Sequence, residues 1–382
     1  MSLLLSQNNH LLLLGGSLYY KHTYQTLSKK GFKLTCIDSN PQAHCRILAD
    51  NFIHADYSDI DLTYQKIKSL NIDCILPLND VGVITAASIA ELMPIKSPSL
   101  SVAKSATYKP LMKKAWVKNN LPTANYFIAE NYNEVITAVR VIGLPCILKP
   151  ANSLGGGSRG VVVVNKFQEI HNAMNFTMGF TDDSKVLIEE FMDYQSEHSI
   201  ECLVSDDTAE VILIGDNHKI ELPYRVNQKI TYPTSLSKNK QSKLIELCKR
   251  SIDSLGISFG AVHIEAGFKK GDPYLIELGL RAGGGAIFHP ITKIVTGYDY
   301  VFEAVKVLLG INVAINDFRP KKKVEYQFIT NQYDQRSLNV FKRKIKNNSR
   351  VYDYHIEQSY DPDKKIKTGL DRQGYVIFVE NL

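Results

Sequence analysis

The 382-residue sequence predicts a multidomain protein of the α/β and α+β classes: an N-terminal domain with a doubly wound parallel sheet, then a larger α+β region built on antiparallel hairpins. Three observations predict it. The first hundred residues run strand, glycine turn, helix, strand, which is the unit of a parallel sheet. A glycine-rich loop at 151–160 joins two apolar runs as a hairpin. Two further short strands, 260–265 and 274–277, meet at the turn Lys270-Gly271-Asp272-Pro273, and each ends in a glutamate.

At roughly 150 residues per domain the length allows two or three domains. A hydrophobic fraction of 44% and a charged fraction of 22% exclude wholesale disorder and a fibrous repeat. Six cysteines (Cys36, Cys45, Cys74, Cys146, Cys202, Cys248) form no CxxC pair and no cluster with histidines, which predicts reduced thiols rather than a disulfide framework or a zinc site. No apolar run reaches 18 residues, so no membrane span is expected. The first 14 residues lack a basic start and read as a buried first strand rather than a signal peptide; a cytoplasmic location is the expectation. The net charge of +6 is local, because residues 319–382 hold 14 Lys+Arg against 8 Asp+Glu and the remainder balances. This basic end reads either as a solvated face or as an aid to an anionic substrate. The neutral remainder offers no basic stripe and no nucleic-acid signature, so no nucleic-acid partner is expected.

In chain order, the apolar run 11–14 ends at Gly15-Gly16-Ser17, a helical stretch follows to Lys30, and a second strand at 33–37 closes with Asp38. A helix around 61–70 leads to a third strand at 74–78, and Asn79-Asp80 caps a helix over 81–92. These elements make one domain over 1–103. Gly15-Gly16 with Asp38 admits a dinucleotide reading, but Leu18, Tyr19 and Tyr20 break the GxGxxG pattern, and the turn Asp38-Ser39-Asn40-Pro41 explains the aspartate equally well. Past residue 104 come a helix over 109–119, the turn Leu121-Pro122, and a strand at 146–148 running into Lys149-Pro150. The loop that follows is no P-loop, since GxxxxGK[ST] is absent and valines 161–164 follow instead of a helix. Its glycines 155–157 can bring backbone N–H groups to phosphate oxygens, or form a plain hairpin tip. The run 186–188 ends in Glu189-Glu190-Phe191-Met192, and 199–204 with 211–214 alternate as antiparallel strands. After a helix over 240–255, Glu265 and Glu277 stand on adjacent strands and can share a hard divalent cation, or are solvated strand ends.

In this order the residues resemble the ATP-grasp superfamily, and within it the carboxylate–amine ligases, including bacterial L-amino-acid ligases, over about residues 10–310. The likeness is carried by Tyr108-Lys109 with Met112-Lys113, by Ile147-Leu148-Lys149-Pro150 with the glycine loop, by Leu187-Ile188-Glu189-Glu190-Phe191, by Glu197-His198-Ser199, and by HIEAGF (263–268) with IELGLRAGGG (276–285). It implies an ATP-grasp fold over 104–310, two α+β subdomains clamping ATP, with the glycine-loop lid at about 120–190 and a small basic C-terminal extension over 311–382. It further implies ATP and magnesium, with manganese as an alternative ion, as cofactors. A small carboxylic acid, an amino acid or related metabolite, and an amine would be the substrates, and a homodimer is among the family's assemblies.

The implied chemistry is ADP-forming. The carboxylate attacks the γ-phosphorus of ATP, and an amine then displaces phosphate from the acyl phosphate; the first step is mainly positioning and charge neutralisation. By resemblance, Lys109, Lys149, Gly155, Gly156, Gly157 and Ser158 hold the phosphates. Glu189, Glu190, Phe191 and Met192 form the adenine hinge. Glu197 holds the ribose, a role that Glu190 or Glu201 could share. Glu265 and Glu277 bind the magnesium. Arg281, with a guanidinium fork suited to a carboxylate or phosphate and glycines 283–285 behind it, is the expected catalytic residue. Gly283, Gly284, Arg225 and His263 are candidate substrate contacts, and His263 reads equally as a packed strand residue.

The sequence departs from the usual pattern at Tyr108 for aspartate, Gln195 for glycine, Gly279 for asparagine and Leu280 for proline. Rival expectations are a carboxyphosphate-forming enzyme of purine-biosynthesis type and a nucleotide-binding relative that has lost catalysis. No GxSxG elbow, HExxH helix or cysteine beside a base suggests another chemistry.

Overall fold

A computed structural model describes residues 9–152, 156–181, 183–314 and 318–382. The N-terminal sheet is parallel, in the order β3-β2-β1-β4, from β1 (His10–Leu14), β2 (Lys33–Asp38), β3 (Asn51–His54) and β4 (Cys74–Pro77). Leu11, Leu12, Leu13 and Leu14 are wholly buried because helices cover both faces. Leu11 and Leu13 pack with Tyr24 and Leu27 of α1 (Lys21–Lys29). Leu12 and Leu14 pack with Ile67 of α2 (Ile60–Ile67) and with Ala86 and Ile89 of α3 (Asp80–Ala90). The expected third strand is in fact the fourth; β3 lies at the sheet edge, where its half-exposed Asn-Phe-Ile-His sequence gives no apolar run. Asn79 caps α3 as expected, its side chain accepting from Gly82 N at 3.0 Å.

Helices α4 (Leu100–Thr107) and α5 (Lys109–Lys118) lead into a second, antiparallel sheet ordered β5-β8-β6-β7. Its strands are β5 (Tyr126–Ala129), β6 (Cys146–Pro150), β7 (Val162–Val164) and β8 (Val186–Glu190). Helices α6 (Tyr132–Ile142) and α7 (Ile170–Met178) cover one face. The expected hairpin around the glycine loop is the β6–β7 pair.

The third sheet has eight antiparallel strands, ordered β13-β12-β9-β10-β11-β14-β16-β15. It takes β9 (Ser196–Ser205), β10 (Thr208–Lys219) and β11 (Asn227–Tyr232), then, after α8 (Lys238–Ser254), the hairpin β12 (Gly260–Lys269) and β13 (Asp272–Gly279). Two helices follow, α9 (Ile291–Thr296) and α10 (Tyr300–Leu308). The basic C-terminal segment joins the same sheet. Its β14 (Lys322–Phe328) pairs with β11, and β16 (Gly374–Asn381) lies between β14 and β15 (Val351–Ile356), with α11 (Gln335–Lys346) alongside. Tyr326, Tyr375 and Ile377 share a core with Ile230, Tyr232 and Ile291, so the sheet runs through the boundary expected at residue 310. All six cysteines are buried and none is in a disulfide. No helix among the described residues is long and apolar enough to cross a membrane.

Candidate active site

A cleft of about 510 Å³ opens where the three sheets meet. Lys149 sits at the end of β6 just before the glycine loop, and Lys109 opens α5, docked there by its backbone N–H on Ala151 O at 2.9 Å. Both lysines line the cleft and are nearly buried. Lys149 Nζ lies 2.6 Å from Glu189 Oε2, and Lys113, one helical turn beyond Lys109, reaches Glu189 Oε1 at 2.8 Å. Burial alone would raise the Glu189 carboxyl, but Lys113 and Lys149 outweigh it and hold it below the usual carboxylate range. Burial also pushes the Lys113 ammonium down to about 8, against the pull of Glu189.

The expected glycine loop lines the cleft through Gly156, Gly157 and Ser158, while Gly155 lies outside the described residues. Gly156 and Gly157 take left-handed φ of 63° and 73°, which glycine adopts without steric cost. Ser158 Oγ donates to Arg225 O at 2.8 Å, anchoring the loop to the β10–β11 connection. Gly369, from the segment before β16, donates its N–H to Gly157 O at 2.6 Å, so the C-terminal region also touches the loop.

Glu189, Glu190, Phe191 and Met192 form the cleft wall where β8 ends. Glu190 Oε2 accepts from Asn125 Nδ2 at 3.0 Å, and Glu189 is committed to the two lysines. Glu197, on β9, is clasped by Lys219 Nζ at 2.5 Å and by Arg225, which together overcome burial and hold its carboxyl low.

Glu265 and Glu277 stand directly opposite each other in the β12–β13 register, with a bulge just after Glu265. Lys109 Nζ lies 3.0 Å from Glu277 Oε1, and Lys219 Nζ is 4.0 Å from Glu265 Oε2. Among the described residues no three His, Cys, Asp or Glu side chains gather as a metal site, so any cation here would rest on this pair plus other oxygens.

Arg281 follows β13 and is engaged by Asp80 from the N-terminal domain. Its Nε donates to Asp80 Oδ1 at 3.1 Å, its Nη2 to Oδ2 at 3.0 Å, and its Nη1 to Ala282 O at 2.9 Å. Burial works against the charged guanidinium, and Asp80 more than compensates, raising it further. The Nε–Nη2 edge of the guanidinium fork expected to hold a substrate anion is therefore occupied by Asp80.

The four candidate substrate contacts divide. Gly284, Arg225 and His263 line the cleft, whereas Gly283 does not. The Gly283 N–H is taken by Glu201 Oε2 at 2.8 Å, and Glu201 Oε1 lies 2.6 Å from His263 Nδ1. His263 is thus packed and partnered while still facing the cleft, and Glu201 serves it and the glycine run rather than a ribose.

Sequence reasoning did not assign Asp80, Lys219, Arg159 or Arg372, all of which line the cleft, nor the role of Lys113 beneath it. The four-residue spacing of Lys109 and Lys113 puts both on one helix face and was a usable signal. Asp80 carried a signal only for a helix start, and Lys219 and Arg372 carried none.

Comparison with known proteins places the chain. Residues 107–316, more than half of it, match the family described as Carbamoyl-phosphate synthase L chain, ATP binding domain. Carnosine synthase 1 of Homo sapiens is 24% identical over 341 residues, which is 81% of this chain and 41% of that protein; this chain thus spans less than half of that relative's length. The formate-dependent phosphoribosylglycinamide formyltransferase of Methanococcus maripaludis is 24% identical over 336 residues, 83% of this chain and 80% of that one. The crystal structure of L-amino acid ligase from Bacillus licheniformis superposes with a TM-score of 0.84 at 18% identity, over 99% of this chain and 95% of that one, which establishes the fold. The chain belongs to the carbamoyl-phosphate synthase L chain ATP-binding family and carries an ATP-grasp fold.

Proposed function

We propose that this chain is an ATP-dependent, ADP-forming ligase that activates a small carboxylate as an acyl phosphate and joins it to an amine. One observation carries the reading: two buried lysines, a left-handed glycine loop, two opposed glutamates and a charged arginine converge on one cleft. Phosphate transfer needs little else than cations and N–H groups around the moving charge.

In this reading Lys109, Lys149 and the loop at Gly156, Gly157 and Ser158 hold the ATP phosphates. The backbone of Glu189, Glu190, Phe191 and Met192 meets the adenine, and the Glu189 carboxylate holds Lys149 and Lys113 in place. Glu197 receives the ribose, held ready by Lys219 and Arg225. Glu265 and Glu277, hard oxygen donors facing one another with lysines in reach, fit a magnesium or manganese ion. When bound, that ion would neutralise phosphate charge. Arg281 offers its remaining Nη1 and Nη2 protons to the acyl phosphate, and His263, Arg225 and Gly284 contact substrate. The segment at about 120–190 acts as the lid.

The test is a product assay. ADP and phosphate should appear only when acid, amine, ATP and magnesium are all present; AMP and pyrophosphate would overturn the reading. The formyltransferase relative favours a second reading, in which the activated acid is formate or bicarbonate. Turnover that survives strict removal of both, with an amino acid supplied, decides for the first.

A further inference from the structure

The N-terminal domain delivers one buried carboxylate to the catalytic arginine. Asp80 opens α3 and is 3% exposed. Both of its oxygens accept from Arg281, and a third Arg281 donor is spent on Ala282 O. A guanidinium has five N–H groups, so one N–H on Nη1 and one on Nη2 remain for other acceptors. Asp80 thereby decides which edge of the fork a substrate can meet.

Gly279 is the other half of this arrangement. A Cβ at 279 would stand 2.9 Å from Asp80 Oδ1 and 3.5 Å from Arg281 Cζ. Its backbone is not in the left-handed region, so glycine is required here by space and not by conformation. The loop residue Gly156 borders the same pair, but a Cβ there would meet Arg281 Nη2 at 3.4 Å and Asp80 Oδ2 at 3.5 Å, ordinary contact, so its glycine answers to its left-handed φ and not to space. Gly279 thus leaves the room that this interdomain ion pair occupies.

We propose that Asp80 is the positioning residue for Arg281, and that residue 279 is glycine in order to admit the Asp80 carboxylate. The proposal rests on the ligase reading for its catalytic half. Gly279 is then a trade of a local side chain for one supplied by the N-terminal domain, and not a mark of lost catalysis.

The experiment combines kinetics with a melting cycle. Asp80→Asn should lower kcat by about 100-fold, the scale expected when a catalytic group is misaimed, with KM for ATP held within about two-fold. A latch that served only the domain interface would lower the melting temperature and leave kcat of the folded enzyme unchanged, which would overturn the proposal. Gly279→Asn should impair turnover, because its side chain would displace the Asp80 carboxylate from Arg281. A Gly279→Asn enzyme with wild-type turnover would overturn the shared-space claim. The melting arm needs no substrate: Gly279→Ala should lower the melting temperature by several degrees with Asp80 present and by much less in the Asp80→Gly background. Equal shifts overturn the proposal. Unequal shifts, together with no product from any acid and amine, would leave the spatial pairing standing and the ligase reading fallen.

Discussion

Two glycine turns follow β-strands in this chain, and they differ in what fills the space beside them. At the end of β1, Gly16 donates its N–H to Asp38 Oδ2 at 2.7 Å, and a Cβ there would lie 2.9 Å from both Ala43 Cβ and Cys36 Sγ. The residue before this turn, Leu14, is apolar and wholly buried. Past β6, Gly156 and Gly157 face the cleft, and Lys149 stands in the strand before them. Both turns border the cleft, Gly15 and Ser17 from the first and Gly156 and Gly157 from the second; the first is packed against β2 with its Gly16 N–H taken by the β2 carboxylate Asp38, whereas the second stands beside a cation. Glycine after a strand is therefore no evidence of phosphate binding until the fate of its N–H and the charge of its neighbours are known.

The largest effect expected from this contrast is at Lys149. Lys149→Met removes a charge-assisted contact worth about 2–3 kcal/mol, so nucleotide affinity measured by calorimetry should fall roughly 30–150-fold. Glu189 keeps Lys113 as its partner, so the variant should still fold. An unchanged affinity would mean that the second turn is as structural as the first.

Gly16→Ala tests the other side. The added methyl meets packed neighbours, and overpacking of this kind costs about 1–3 kcal/mol, visible as a lower midpoint in urea. Nucleotide affinity should stay as in the wild type, because the N–H already belongs to Asp38. A loss of affinity with normal stability would reopen the dinucleotide reading of the N-terminal turn.

How much of this was legible depended on the distance in sequence over which each feature is determined. The four-leucine strand, the Asn79 cap and the opposed Glu265 and Glu277 follow from local pattern and a single hairpin, and the sequence carried them. The edge strand β3 was illegible because an edge strand half in solvent needs no apolar alternation. Asp80 read as a helix start because the partner that gives it meaning lies 201 residues away. Lys219 was missed likewise, and Glu201, read as a possible ribose ligand, pairs instead with His263 and the Gly283 N–H, since each takes its place through the neighbouring strands that carry Glu197, Glu265 and His263. The C-terminal strands β14–β16 looked like an addition because the family likeness ends near residue 310, while their place is set by hydrogen bonds to β11.

The smallest effect expected is at Gly157, and it separates strain from contact. Its left-handed φ makes Gly157→Ala cost about 1–2 kcal/mol, but a Cβ there would have room, with the nearest heavy atom being Gly369 Cα at 3.6 Å. The strain falls on a surface loop that can shift without unfolding either sheet. KM for ATP should therefore rise several-fold while the global melting temperature moves little. Gly16→Ala has the opposite signature, stability lost and affinity kept. If Gly157→Ala instead lowered the melting temperature as much as Gly16→Ala, the loop would be bound into the fold, through Gly369 N on Gly157 O, more tightly than a turn that has to admit a nucleotide.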